Sequence, residues 1–393
     1  MTKQGRKSDS NSNPRSGNEV PSQTDHDGNR RRTRKFKILM VAFSALLFLA
    51  LDLIFGSYVR QDQQKSFRRP HPYFHHALRT NQNRRTHWGG LRYSMITNSL
   101  GFRDSEIRDV PLQSDARRVV LIGDSMIEGL GVRYEDTVAG QLQQRWAPQG
   151  VEVFNAGVVS FSPHLYHLRV RHLIEEVGLQ FTHLIVFIDI SDIQDETFYE
   201  TFQPAKASSQ LADWWRGHSL MYQVAALFSA PEMRTNNQFR TDAEVNVWME
   251  ATDAYQVGTD PEIGRWKWTL DEAIYEQWGR QGLRLARTHM TQLNDLCSEH
   301  QIELTVAVYP APAQIYANDI DSRQVRFWQE FCEEFDLTLI NLFPTFIDRA
   351  YAGPGEIYQR FFNANDTHWN PAGHHLVADK IDQAIGDSTS APP

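Results

Sequence analysis

Cysteine is nearly missing from this chain. Only Cys297 and Cys332 occur in 393 residues, so a disulfide-framed fold is excluded. No CxxC pair and no regular Cys/His spacing signals a zinc site, and neither a metal nor another cofactor is expected. An excess of positive charge is missing too. Lys and Arg total 40 against 48 Asp and Glu, a net charge of −8, so the basic face that nucleic-acid binding usually needs is not there. Hydrophobic residues at 41% and charged residues at 22% are ordinary for a globular protein. The length suits one large domain or two average ones.

Long apolar runs are also rare, with one exception. Residues 1–30 are rich in Ser, Asn, Gly, Arg and Lys and have no apolar period, which predicts disorder. The basic tail continues to residue 37 through RRRTRKFK. Then ILMVAFSALLFLALDLIFGSYV, residues 38–59, carries one charge, Asp52. That length matches a transmembrane span of about 20 residues, and Asp52 lies toward its far end, where a charge costs less than at the bilayer centre. A cleaved signal peptide would have a shorter basic region and a small-x-small cleavage site, and a buried core helix would be amphipathic. Arg30, Arg31, Arg32, Arg34, Lys35 and Lys37 precede the run, against Arg60, Lys65, Arg68 and Arg69 after it. This bias predicts a single-pass anchor with a cytoplasmic N-terminus and the remainder extracytoplasmic, in a periplasm or at the cell surface.

Residues 60–115 read as a polar membrane-proximal approach. His71, His75 and His76 within it lack ligand spacing and are expected on a solvated surface. The stretch NSLGFRD, residues 98–104, signals a turn, in which Arg103 and Asp104 could pair locally. From residue 116 to about 388, short apolar runs alternate with amphipathic helices. Strands are predicted at 118–123, 151–156, 183–190, 302–310 and 337–342, and helices at 137–146, 164–177, 283–300, 323–335 and 373–385. Nearly continuous apolar strands separated by helices predict a doubly wound, five-stranded parallel sheet in a three-layer α/β/α domain. Residues 196–280 interrupt that rhythm as a helical insertion, whose Trp214, Trp215, Trp248, Trp266 and Trp268 are expected mostly to pack its own small core.

Two stretches carry chemistry. RRVVLIGDSMIEG places Ser125 just past the first predicted strand, where open α/β sheets gather their sites. A serine hydroxyl is a weak nucleophile and needs a base, which itself needs an orienting group. NANDTHWNPAGHH places His368 on a loop before the last helix, with Asn370 as its cap and Pro371 at its first position. Asp366, two residues before His368, could hold the imidazole.

In these stretches the chain resembles the SGNH/GDSL hydrolase superfamily over residues 95–385. Gly-Asp-Ser at 123–125 is similar to the family's first block, Asn155-Ala156-Gly157 to its second, and DTHWNPAGH to its last. The resemblance implies a flavodoxin-like α/β/α fold. It also implies a Ser125–His368–Asp366 triad, and an oxyanion site formed by Gly157 with Ser191 in place of the third block's asparagine. Two departures stand out. The third block, usually Gly-x-Asn-Asp, here reads DISD, residues 189–192. Asp189 and Asp192 would oppose an oxyanion if they faced it, and are expected to point into solvent. The acid–base spacing is Asp-x-His, with Asn365 in the commoner acid position, a spacing familiar from SGNH-like proteins that O-acetylate exopolysaccharides. The implied function is a membrane-anchored serine esterase or O-acyl(acetyl)transferase at the cell envelope. Its substrate would be an acyl ester or polysaccharide, with a membrane-bound acyltransferase as a partner. The alternative is a catalytically inactive SGNH-like envelope protein that binds glycan or a membrane partner.

Overall fold

The structure, a computed structural model, describes residues 23–63, 67–88, 91–204, 210–229, 265–347 and 353–389. It falls into two compact units, one made of residues 1–60 and 211–226 and the other of the rest of the chain.

The first unit is built on α1 (Gln23–Gln63), a helix of 41 residues. It begins ahead of the apolar run, so residues 23–37 are helical, contrary to the disorder expected from their composition. Extending a helix adds one hydrogen bond per residue fixed, whereas nucleating one is costly, so the apolar helix carries the polar residues before it. Residues 1–22 of the expected tail lie outside the described residues. The segment Asn29–Val59 is long and apolar enough to cross a membrane.

The second unit opens with two antiparallel hairpins, β1 (Arg68–His71) with β2 (His75–Leu78) and β3 (Asn83–Trp88) with β4 (Leu91–Ile96). The approach segment is therefore ordered structure. The three histidines are not on a solvated surface. His71 stacks on Phe74 with ring centroids 3.6 Å apart. His76 is buried, donates from Nε2 to the Val159 carbonyl at 2.7 Å, and has its pKa lowered to about 3 by burial. Their aromatic neighbours take the place of water.

The centre is a parallel sheet of β5 (Arg117–Ile122), β6 (Val151–Asn155), β7 (His183–Ile188), β8 (Glu303–Val308) and β9 (Thr338–Asn341), in the order β6-β5-β7-β8-β9. Every residue of β7 is buried, as a strand covered by helices on both faces must be. The covering helices are α2 (Ser125–Glu128), α3 (Val138–Trp146), α4 (Pro163–Arg171), α5 (Asp192–Tyr199), α8 (Arg280–Glu299), α9 (Arg323–Phe335), α10 (Pro354–Phe361) and α11 (Pro371–Thr389), while α6 (Gln210–His218) and α7 (Leu220–Ser229) come between α5 and α8. This is the doubly wound α/β fold expected from the sequence. Because β6 and β7 flank β5 on opposite sides, the chain reverses its direction of winding at β5, and ligands of such sheets bind in the crevice that opens there.

Of the insertion, residues 205–209 and 230–264, with Trp248, lie outside the described residues. The expected private tryptophan core is not formed by the others. Trp268 is fully buried in the main core and donates from its indole to the Ile190 carbonyl at 2.8 Å, while Trp214 and Trp215 are exposed.

Candidate active site

The apolar β5 ends at Ile122, and the chain turns sharply at Gly123. A Cβ there would lie 2.6 Å from Ile127 Cγ1 and 3.1 Å from Phe187 Cβ, so a side chain would push the turn off the sheet. Asp124 then caps α2, accepting the Met126 N–H at 2.9 Å. Gly129, at φ +80°, ends α2 in the left-handed region that glycine adopts without strain. Ser125 thus stands on one helical turn fixed at both ends. Its own N–H opens the helix, where no carbonyl of that helix can reach it.

His368 arrives from the loop before α11. Asn370 caps that helix through Oδ1, accepting from Ala372 and Gly373 at 2.9 and 3.0 Å. The loop is closed further by Asn363 N–H donating to the His368 carbonyl at 2.9 Å and by the Tyr358 hydroxyl donating to the Asp366 carbonyl at 2.8 Å. As a result His368 Nε2 lies 2.8 Å from Ser125 Oγ, and Nδ1 lies 2.7 Å from Asp366 Oδ1. The fixed Nδ1 partner assigns the tautomer, Nδ1–H facing the carboxylate and a bare Nε2 facing the hydroxyl. Asp366 is 1% exposed, whereas Asn365 is exposed in the left-handed region at φ +57°, a turn residue pointing elsewhere. Burial works against a charge on His368, but the Asp366 carboxylate outweighs it, with Asp124 and Asp189 adding. Its pKa therefore lies above the usual histidine value.

Four further side chains complete the site; of these the sequence singled out only Arg103, and that as a local partner of Asp104. Trp88, at the end of β3, donates from its indole to Asp366 Oδ2 at 2.6 Å and sets its ring edge-on to His368, with centroids 5.1 Å apart. Tyr309, just past β8, donates to Asp124 Oδ1 at 3.2 Å. Its position at a strand end was the one available signal. Glu128, buried on α2, accepts the Val159 N–H at 2.8 Å and pairs with Arg68 of β1. Arg103, 1% exposed, donates to the carbonyls of Glu128, Gly129 and Val132. It therefore does not pair with Asp104, which instead meets Arg108 at 2.9 Å. NSLGFRD is thus the clamp that holds the turn behind Ser125.

The expected oxyanion residues are placed as follows. Gly157 lies flat against α2, where a Cβ would meet Glu128 N at 2.5 Å, and its N–H donates to Asn155 Oδ1 at 3.0 Å. Asn155 Nδ2 in turn holds the Ile127 carbonyl at 2.7 Å. Ser191 is buried before α5, its N–H on Asp189 Oδ1 at 2.5 Å, and its hydroxyl does not cap the helix.

Asp189 and Asp192 do not point into solvent. Both are buried, and one carboxylate oxygen from each lies within 4.8 Å of the others and of one from Asp124. The Tyr166 hydroxyl at 2.7 Å and the Asp189 N–H at 3.0 Å draw Asp192 inward. Among the described residues these three alone form a group that could hold a metal, and none of them makes an ion pair. Burial, and then the Asp189 carboxylate, raise the Asp124 pKa to about 7; burial, and then Asp124 and Asp189, raise that of Asp192 well above the usual range. Both shifts favour the uncharged form of these two carboxyls and so oppose the build-up of negative charge beside Ser125.

No protein-family model matches the chain, and no curated protein matches it. Among solved structures it is similar to esterase EstA of Pseudoalteromonas sp., at 12% identity over 70% of this chain and 100% of that one, TM-score 0.36. It is similar to a GDSL-like lipase of Bacteroides thetaiotaomicron, at 10% identity over 71% and 93%, TM-score 0.37. A catalytic mutant of Axe2, an acetylxylan esterase from Geobacillus stearothermophilus, matches at 12% identity over 70% and 97%, TM-score 0.37. At that level of likeness the chemistry has to be read from the site itself.

Proposed function

We propose that the protein is a serine acyl-ester hydrolase or O-acyltransferase in which Ser125 is the nucleophile, His368 the base and Asp366 the orienting acid. The observation that carries this reading is the continuous relay from Ser125 Oγ through both His368 nitrogens to a buried Asp366. Its members come from chain positions 243 residues apart and meet at the carboxyl edge of the sheet.

In the reaction, His368 Nε2 takes the Ser125 proton as Oγ attacks the acyl carbon. The imidazolium that forms is stabilised by Asp366. Collapse of the tetrahedral adduct expels the alcohol, which receives that proton. Water or a sugar hydroxyl then gives its proton to His368, attacks the acyl-serine and restores Ser125. Oxyanion donors are assigned to the Ser125 N–H, the Gly157 N–H by sharing with Asn155, and the Ser191 hydroxyl. When His368 is protonated, its Nε2–H points at Oγ and the Ser125 proton turns to Asp124 Oδ2, 3.1 Å away, an arrangement that cannot attack.

The apolar run of residues 38–59, within a helix long and apolar enough to cross a membrane, and the basic cluster before that run support a single-pass anchor with the catalytic unit outside the cytoplasm. A tethered enzyme meets polymer at the membrane at high effective concentration, which favours an acylated envelope polysaccharide as substrate or acceptor, with a membrane-bound acyl donor protein as partner. The test is hydrolysis of a short-chain acyl ester by the wild type and Ser125→Ala, each with its thermal midpoint. Loss of turnover at an unchanged midpoint is expected; wild-type turnover in the variant sinks the proposal.

A further inference from the structure

The anchor unit has a second component. Asp52, the only charge in the apolar run, is 8% exposed, because its Oδ1 accepts the Met221 N–H at 2.8 Å in the first turn of α7. A helix N-terminus carries partial positive charge and orphan N–H groups, so α7 answers the charge that α1 would otherwise present to hydrocarbon. One turn further along α1, Gly56 gives its carbonyl to Gln223 Nε2 at 3.1 Å. A Cβ at position 56 would lie 2.0 Å from the His218 carbonyl oxygen and 2.5 Å from Leu220 N. This is the small-residue close approach by which helices pack without a hydrophobic driving force.

The docked pair α6–α7 turns apolar surface outward. Trp214, Trp215, Met221, Tyr222 and Val224 are between 37% and 57% exposed. From residue 214 to 225 Arg216 is the only side chain with a full charge. On α1, either side of the Gly56 contact, Phe55 is 54% and Tyr58 71% exposed. From Asp52 to Val59, the end of the apolar run, α1 rises about 10 Å, which is the depth at which interfacial helices sit below the headgroups, about 5–10 Å. Trp and Tyr are the residues that favour that layer.

We propose that α6–α7 is a second membrane element, lying in the headgroup–acyl boundary on the side where α1 emerges and docked to α1 through Asp52 and Gly56. The occupant of its exposed face is lipid. The inference rests on reading α1 as a membrane span.

The experiment uses the full chain in phosphatidylcholine–phosphatidylglycerol vesicles, with nitroxide labels on Leu47→Cys, Trp215→Cys, Tyr222→Cys and Glu330→Cys made one at a time. Cys297 and Cys332 are buried, and burial raises both thiols to about 12, so they stay unlabelled in the folded protein. Collision with dissolved oxygen and with a water-soluble nickel chelate is then measured. At 215 and 222, nickel collision several-fold below that at the exposed position 330, with high oxygen collision, is expected, and still less nickel at 47. Nickel access at 215 and 222 equal to that at 330, with 47 shielded, overturns the proposal and leaves the span standing. Labels at 215 and 222 shielded from both reagents show a protein partner or second copy, and overturn it equally. Nickel access at 47 removes the span and the proposal together.

Discussion

Trp88→Phe separates the orienting hydrogen bond from the ring that carries it. Asp366 Oδ1 is shared by the His368 ring and by the N–H groups of Thr367 and His368 at 2.7 and 3.3 Å, while Oδ2 receives the Trp88 indole at 2.6 Å. Phenylalanine keeps an aromatic edge against His368 and leaves Oδ2 buried without its donor. A buried acceptor stripped of its partner costs about 1–3 kcal/mol, more when charged. The loss is greatest when His368 becomes imidazolium, because then the carboxylate must hold both its charge and its direction. A fall in kcat of about 10- to 100-fold is expected, since each 1.36 kcal/mol is tenfold, with a thermal midpoint lower by several degrees. The assay is steady-state hydrolysis of a short-chain acyl ester beside a thermal melt. Full kcat in a folded variant would refute the orienting role, and a raised KM at unchanged kcat would place Trp88 against substrate instead.

The base must be neutral to act, and the His368 pKa is raised, so kcat/KM is expected to fall as pH drops through a value above about 6.5, the ordinary histidine pKa. Asp366→Asn, by removing the main raising charge, moves that limb to lower pH while reducing turnover. Arg103→Ala takes the guanidinium from three carbonyls behind α2, of which Gly129 still accepts the Val132 N–H at 3.4 Å, and at about 1–3 kcal/mol for each of the other two the variant is expected to lose a large part of the stability of the sheet unit, read as a denaturant midpoint. Gly157→Ala, whose Cβ meets backbone at 2.5 Å, should lower turnover more than Ser191→Ala, which removes only a rotatable donor; the ratio of their kcat values checks the order. Cys297 and Cys332 should resist alkylation until the protein is unfolded, as mass spectrometry before and after denaturant would show.

What could be read in advance was local. β5 and its Gly-Asp-Ser turn, the Asn370-Pro371 cap and the alternation of strands and helices are short-range patterns, and they sufficed for the doubly wound sheet, for Ser125 just past a strand and for His368 on the loop before the last helix. What could not be read depends on distant partners. Trp88 lies 278 residues from Asp366, in a hairpin whose polar sequence suggested only an approach to the membrane. Asp189 and Asp192 looked solvated because charge at a strand end usually is; the Tyr166 hydroxyl and the N–H groups of Asp189 and Ser191 give their carboxylates partners inside. Arg103 and Asp104 are neighbours in sequence yet serve different carbonyls and a different arginine. Asp52 looked like a tolerated charge near the end of a span, since its partner is 169 residues away.

The most direct test of the Ser125–His368 relay is reaction with a fluorophosphonate, in which Ser125 Oγ displaces fluoride and the stable adduct is located by peptide mass spectrometry. A single adduct on Ser125 is expected. Its rate should rise with pH through the raised His368 pKa, and it should be nearly absent in a folded His368→Ala variant. No adduct on the wild type, an adduct on another residue, or a wild-type labelling rate in His368→Ala would contradict the relay.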